Sequence, residues 1–142
     1  MVIVSQLLDL KGRQVHSIGP DEPVLRAMEV MATHDIGALL VTEGSDLRGV
    51  ISERDYARKI ILMKRSSRDT PVRDIMTSPV YSVQPTDTVH HCMQLMTGRR
   101  IRHLPVLLAG KVDGLLSIGD LVKVLMQEQS EQIQQLERYI AG

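Results

Sequence analysis

Gly114-Leu115-Leu116-Ser117-Ile118-Gly119-Asp120 repeats, 65 positions on, the pattern of Gly49-Val50-Ile51-Ser52-Glu53-Arg54-Asp55. Each stretch reads as an apolar strand running into Ser-x-x-Asp, a helix-start signature. Working outward, Val15–Ile60 lies on Val80–Leu125 without a gap. Identities fall at Val15/Val80, Ser17/Ser82, Pro20/Pro85, Val24/Val89, Met28/Met93, Met31/Met96, Ile36/Ile101, Leu39/Leu104, Val41/Val106, Gly49/Gly114, Ser52/Ser117 and Asp55/Asp120. A repeat of this length means two copies of one supersecondary unit, expected to pack about a pseudo-twofold axis.

One copy can be read along its length. A short helix is expected first, Ser5 capping Gln6–Leu10 and Thr70 capping Pro71–Met76, with proline at the favoured first helical position. Val15–Ile18 and Val80–Val83 alternate as short strands stopped by Pro20 and Pro85. Val24, Ala27, Met28 and Met31, like Val89, Cys92, Met93 and Met96, fall at i, i+3, i+4, i+7, one buried helical stripe per copy. The methionines in those stripes read as core rather than as a soft metal box. Hairpins follow, Ile36–Val41 with Leu47–Ile51 and Ile101–Leu107 with Val112–Leu116, turning at Gly44 and Gly110. A last helix begins after Ser52 or Ser117.

The expected fold is therefore α/β in the α+β sense. It has two units, each helix-strand-helix-strand-strand-helix, with a small, mostly antiparallel sheet flanked by helices. Residues 1–65 form the first unit, 66–127 the second, and 128–142 a C-terminal amphipathic helix; Lys64–Asp69 is a polar linker. In that tail Met126, Gln129, Ile133, Leu136 and Ile140 alternate spacings of three and four, a two-heptad seam too short to stand alone. It packs against a partner subunit or folds back on its own domain, and the partner is favoured.

Composition narrows the function. At 142 residues the chain can bury about two-thirds of its unfolded surface without metal or disulfide staples. Lys plus Arg equals Asp plus Glu, so no net field draws it to nucleic acid or anionic lipid. Phe and Trp are absent and Tyr numbers three, which removes the aromatic platforms of single-strand binders. Cys92 is the only cysteine, so no internal disulfide forms and a reducing cytoplasm fits. It reads as a small core residue, in register with Ala27. The apolar start, Met1–Val4, is too short for a signal peptide, and no run is long enough to span a bilayer.

The Ser-x-x-Asp pairs admit two readings. As capping boxes, Ser52 and Ser117 satisfy orphan N–H groups while Asp55 and Asp120 reach back. As a binding site, the same helix start offers an anion free N–H groups, and the carboxylate accepts the two hydroxyls of a ribose. Gly49 and Gly114 are then expected to admit a ligand close to the backbone. Arg99, Arg100, Arg102 and His103 flank Ile101 as a solvated basic face or a phosphate clamp. Their counterparts, His34, Asp35, Gly37 and Ala38, do not repeat that charge, and Arg54 and Lys59 are candidates to supply it. Adjacent His90 and His91 point about 100° apart on a helix and do not chelate with His103 as an i, i+4 pair would. No phosphate-binding Gly loop or nucleophile elbow is present, so no catalytic machinery and no metal are expected.

These residues resemble a tandem pair of cystathionine-β-synthase (CBS) domains, the Bateman module. The likeness runs from about Val4 to Leu125. It rests on Ser-x-x-Asp after a Gly-ended strand, on Ile101-Arg102-His103-Leu104-Pro105-Val106, and on Ile75-Met76-Thr77 before Pro79-Val80. The arrangement is similar to stand-alone CBS pairs related to the regulatory insert of IMP dehydrogenase. The resemblance implies a homodimeric, non-catalytic sensor with an adenosine-containing effector (AMP, ADP, ATP, NAD(H) or S-adenosylmethionine) in two clefts between the repeats. Asp55 and Asp120 would hold ribose beside Ser52 and Ser117. Backbone near Ser17 and Ser82, and side chains at Ile36, Ala38, Ile101 and His103, would frame adenine; Arg102 and His103 would meet phosphate. Gly37-Ala38-Leu39-Leu40 departs from the Arg-His-Leu-Pro pattern, which leaves the phosphate preference of the first site open. The rivals are an interaction scaffold with vestigial clefts, and an enzyme using His90, His91 and His103. An unidentified regulated protein is a further expected partner; nucleic acid and membrane are not.

Overall fold

A computed structural model describes residues 1–141. Two compact units emerge, and they do not follow the order of the chain. One comprises Gln14–Tyr81; the other joins Met1–Arg13 to Ser82–Gly142. The segment leading into each repeat therefore packs with the other repeat's strands.

In the Gln14–Tyr81 unit, β1 (Ser17–Ile18) runs parallel to β2 (Ala38–Glu43), which pairs antiparallel with β3 (Asp46–Ser52). Between β1 and β2 lies α2 (Val24–His34), which buries Val24, Ala27 and Met31 as its spacing requires. Its core also takes Ile18, Leu39, Val41, Ile51, Ile60, Val72 and Ile75. Gly44 turns the hairpin at φ 62°, a left-handed conformation that glycine adopts without a Cβ penalty.

The other unit is built alike. Here α1 (Val4–Lys11) places Val4, Leu7 and Leu8 in a core with Val89, Cys92 and Met96 of α4 (Val89–Arg99). The hairpin of β4 (His103–Leu108) and β5 (Lys111–Ser117) completes that core with Leu104, Val106 and Leu116. Burial pushes the Cys92 thiol up to about 11, the charge of Asp87 adding to it, so it is an inert core group.

The mixed α and β architecture, the two antiparallel hairpins and the helical stripes match the sequence-based expectation. Local elements differ. Ser5 does not cap α1: Ile3 precedes the helix, and the backbone N–H of Ile3 donates to Gln6 Oε1 at 3.0 Å. The helix expected over Pro71–Met76 is a single 3₁₀ turn, Val72–Asp74, since the extended Pro71 leaves few residues before the chain must pair with β3. Val80–Val83 contributes one bridge, Val83 to Val106, rather than a strand. After Ser52, α3 (Glu53–Tyr56) widens into a π turn, Ala57–Ile61. The C-terminal helix is no separate element either: α5 runs unbroken from Ile118 to Ala141. Among the described residues no helix is long and apolar enough to cross a membrane.

Candidate functional site

Both Ser-x-x-Asp segments sit where a hairpin's last strand becomes a helix. In the Gln14–Tyr81 unit Ala38 lies opposite Ser52, and the N–H of Glu53 donates to the carbonyl of Gly37 at 3.1 Å. In the other, His103 lies opposite Ser117, and Ile118 N–H donates to the carbonyl of Arg102 at 2.9 Å. The start of the first hairpin strand and the start of the helix are thus brought together in each unit. Ser17 pairs with Leu40, two residues along β2, and Ser82 precedes the Val83 bridge. Ala38 is buried; Ile36, Gly37, Arg54, Ile101 and His103 are half-buried; Ser17, Ser82 and Arg102 are exposed.

The capping boxes are real. Ser52 N–H donates to Asp55 Oδ2 at 3.0 Å while Ser52 Oγ accepts from Asp55 N–H at 3.2 Å. Ser117 N–H donates to Asp120 Oδ2 at 2.8 Å, and Asp120 N–H to Ser117 Oγ at 3.2 Å. Capping leaves the carboxylates with acceptor capacity, and each finds an ammonium group. The sources differ.

Asp55, only 8% exposed, receives Lys59 Nζ on Oδ1 at 3.1 Å and the Thr77 hydroxyl on the same oxygen at 3.3 Å. The Ser52 hydroxyl is 3.1 Å from Oδ2. Lys59 also donates to the carbonyl of Ile75 at 2.8 Å. Asp120 receives Lys11 Nζ on Oδ2 at 2.5 Å, and the same ammonium reaches the carbonyl of Leu115 at 2.5 Å. Burial pushes the Asp120 carboxyl up. The hydrogen bond from Lys11, the Ser117 N–H, the charge of Lys11 and the Ser117 hydroxyl together outweigh it and hold the carboxyl below its ordinary value.

Sequence reasoning missed Lys11 and gave Thr77 no role. The position equivalent to Lys11 in the other copy is Met76, and the one equivalent to Lys59 is Val124, so the repeat held no duplicated signal for either cation. The two glycines also need correcting. A Cβ on Gly49 would meet Met76 Sδ at 2.7 Å and the Thr77 carbonyl oxygen at 2.9 Å; one on Gly114 would meet Leu8 Cδ2 at 2.7 Å. Those faces are filled by the protein's own lead segments rather than kept open for a ligand.

A family model described as "CBS domain" matches residues 8–62 and again 72–127. The mitochondrial CBS domain-containing protein CBSX3 of Arabidopsis thaliana is 44% identical, the match covering 98% of this chain and 72% of the relative. A crystal structure of a CBS-domain chain shares 50% identity and superposes with a TM-score of 0.84, covering 88% of this chain and 98% of its own. A CBS-domain protein of Pyrobaculum aerophilum, solved in complex with AMP, is 28% identical with a TM-score of 0.74, over 84% of this chain and 89% of its own.

Proposed function

We propose, on the premise that this chain belongs to the CBS-domain family as a tandem pair of its domains, that it is a non-catalytic sensor of adenine nucleotides or dinucleotides. AMP, ATP and NAD(H) are the effectors in this reading. The observation that carries it is the paired geometry: in both units a capped carboxylate stands at the end of a hairpin strand, beside the start of the other strand. The carboxylate at each of these equivalent helix starts suits the two hydroxyls of one ribose. The AMP complex of the Pyrobaculum relative supports the choice of adenosine ligands.

Asp120 and Asp55 are the ribose contacts in this proposal, with Ser117 and Ser52 beside them. Ile101 and His103, or Ile36 and Ala38, flank the base, whose edge reads backbone near Ser82 or Ser17. Arg102, exposed one residue before β4, supplies cationic charge for phosphate, with His103 next to it and Arg54 a candidate from α3. Gly37 gives the first site no counterpart to Arg102, so the second site is the one that prefers phosphorylated ligands. The single buried Cys92 suits a reducing compartment.

Nucleotide bound only to the folded chain stabilises it by mass action, by about 2.7 kcal/mol at a hundred times Kd. For a chain of this size that is a rise in Tm of roughly 5–10 °C. Thermal-shift measurement against AMP, ATP, NADH and S-adenosylmethionine at millimolar concentration is the test. No shift with any of them favours the interaction scaffold, a reading to which the fully engaged carboxylate of Asp55 lends weight.

The sensor is further proposed to be a homodimer joined through α5. Met126, Ile133, Leu136 and Ile140 are all exposed along one seam of that helix. Truncation after Gln127 is expected to lower the molar mass seen by light scattering from dimer toward monomer while the melting transition persists. A full-length chain that scatters as a monomer at micromolar concentration contradicts it.

A further inference from the structure

The two carboxylates hold their lysines on different tethers, and the difference has a consequence for ligand entry. Lys59 lies four residues from Asp55, in the π turn that continues α3, and its ammonium also holds the carbonyl of Ile75 at 2.8 Å. Lys11 is the last residue of α1, separated from Asp120 by more than a hundred residues of chain. Its ammonium ties the C-terminal end of α1 to the start of α5 and, through Leu115, to β5, and Arg13, just past the helix, adds an ion pair to Asp113 of β5 at 3.6 Å. Beyond it Gly12 adopts φ 100°, closing the helix with an N–H to the carbonyl of Leu8 at 2.7 Å. Leu7 and Leu8 are buried in the core while Lys11 and Asp120 keep side-chain exposures of 34% and 23%. The pair is thus reachable from solvent, and the rest of the helix stays docked without it.

Oδ2 of Asp120 already accepts from Ser117 N–H and from Lys11. A carboxylate oxygen offers about two lone-pair sites, so a vicinal diol that bridges both oxygens needs the one Lys11 holds. We infer that Lys11 is a displaceable self-ligand of the second site: a ribose diol takes Asp120 in exchange for Lys11 and so loosens the C-terminal end of α1, which Arg13 and Asp113 then hold alone on β5. The inference rests on the proposed ribose role of Asp120 and adds a readout to it, since binding becomes motion of the segment that leads into the first repeat. It also makes Lys11 a specificity determinant, because a released ammonium beside the diol favours ligands that carry an anionic group close by.

The test uses adenosine, an uncharged ribonucleoside on which the long-range attraction of the ammonium has little hold. Lys11→Met removes the competitor and is expected to tighten adenosine binding about three- to tenfold by calorimetry. Lys11→Arg keeps a cation in place and is expected to stay within about twofold of wild type. In the wild type, adenosine is expected to speed amide hydrogen exchange at Lys11 and Gly12. Lys11→Met binding no tighter than wild type, where wild type binds and Asp120→Asn binds less well, overturns the exchange and leaves the ribose reading standing. Adenosine that binds neither wild type nor Lys11→Met, or that binds Asp120→Asn as well as wild type, overturns the ribose reading and the exchange with it.

Discussion

Asp120→Asn is expected to weaken nucleotide binding about ten- to a hundredfold, the loss of roughly 1.5–3 kcal/mol that goes with a hydrogen bond to a charged acceptor. A pure cap predicts otherwise. The asparagine carbonyl can still accept from Ser117 N–H, so a capping role alone costs at most about 1 kcal/mol of stability and leaves affinity untouched. Calorimetry on the variant separates the two, and unchanged affinity removes Asp120 from the site. The same carboxyl has a pH signature. Its value in the folded chain lies below the ordinary 3.8, so its contribution to stability is present above that pH and is lost as pH falls through the folded-state value. The difference in Tm between wild type and Asp120→Asn is therefore expected to narrow below pH 3.8. Asp55→Asn differs in kind. The Ser52 N–H and hydroxyl, Lys59 and Thr77 all bear on its two buried oxygens, and an amide presents N–H to one of those sets. Its cost in folding stability is expected to exceed that of Asp120→Asn, at about 1–3 kcal/mol, before any effect on ligand.

The repeat made the hairpins and the Ser-x-x-Asp helix starts legible because both copies obey the same local rules: strand alternation, a turn glycine, a capping residue. Helical stripes such as Val24, Ala27 and Met31 were legible for the same reason. What periodicity does not carry is which copy a segment packs against. Val4–Lys11 and Val72–Thr77 each precede a repeat and pack on the other one, a choice made by long-range burial of Leu8 against Gly114 and Met76 against Gly49. Lys11 was invisible on that account, since it meets Asp120 only once the exchange of lead segments is known. The expected helix at Pro71–Met76 failed through competition: Val50 and Thr77 bond each other's backbone, and a continued helix would forfeit that bridge.

Gly49→Ala is expected to destabilise the fold by about 1–3 kcal/mol, the usual range for inserting volume where none is free. The backbone at Gly49 carries no positive φ, so the cost is one of space. The new methyl would stand 2.9 Å from the Thr77 carbonyl oxygen. That carbonyl cannot retreat cheaply, because Val50 N–H donates to it at 3.1 Å and Thr77 N–H returns a bond to Val50 at 2.8 Å. Moving it breaks the bridge that holds the lead segment on β3, and with it the placement of the Thr77 hydroxyl beside Asp55. Gly114→Ala meets only the side chain of Leu8, which has rotamers to yield even though it is fully buried. The expected order is therefore Gly49→Ala worse than Gly114→Ala, read from urea midpoints at constant slope. In the second variant a smaller neighbour makes room: Leu8→Ala costs about 2–5 kcal/mol alone, and combined with Gly114→Ala the sum falls short of additivity. Equal midpoints for wild type and Gly49→Ala would show that the Thr77 segment is loosely held, and that the lead segment does not fasten the site.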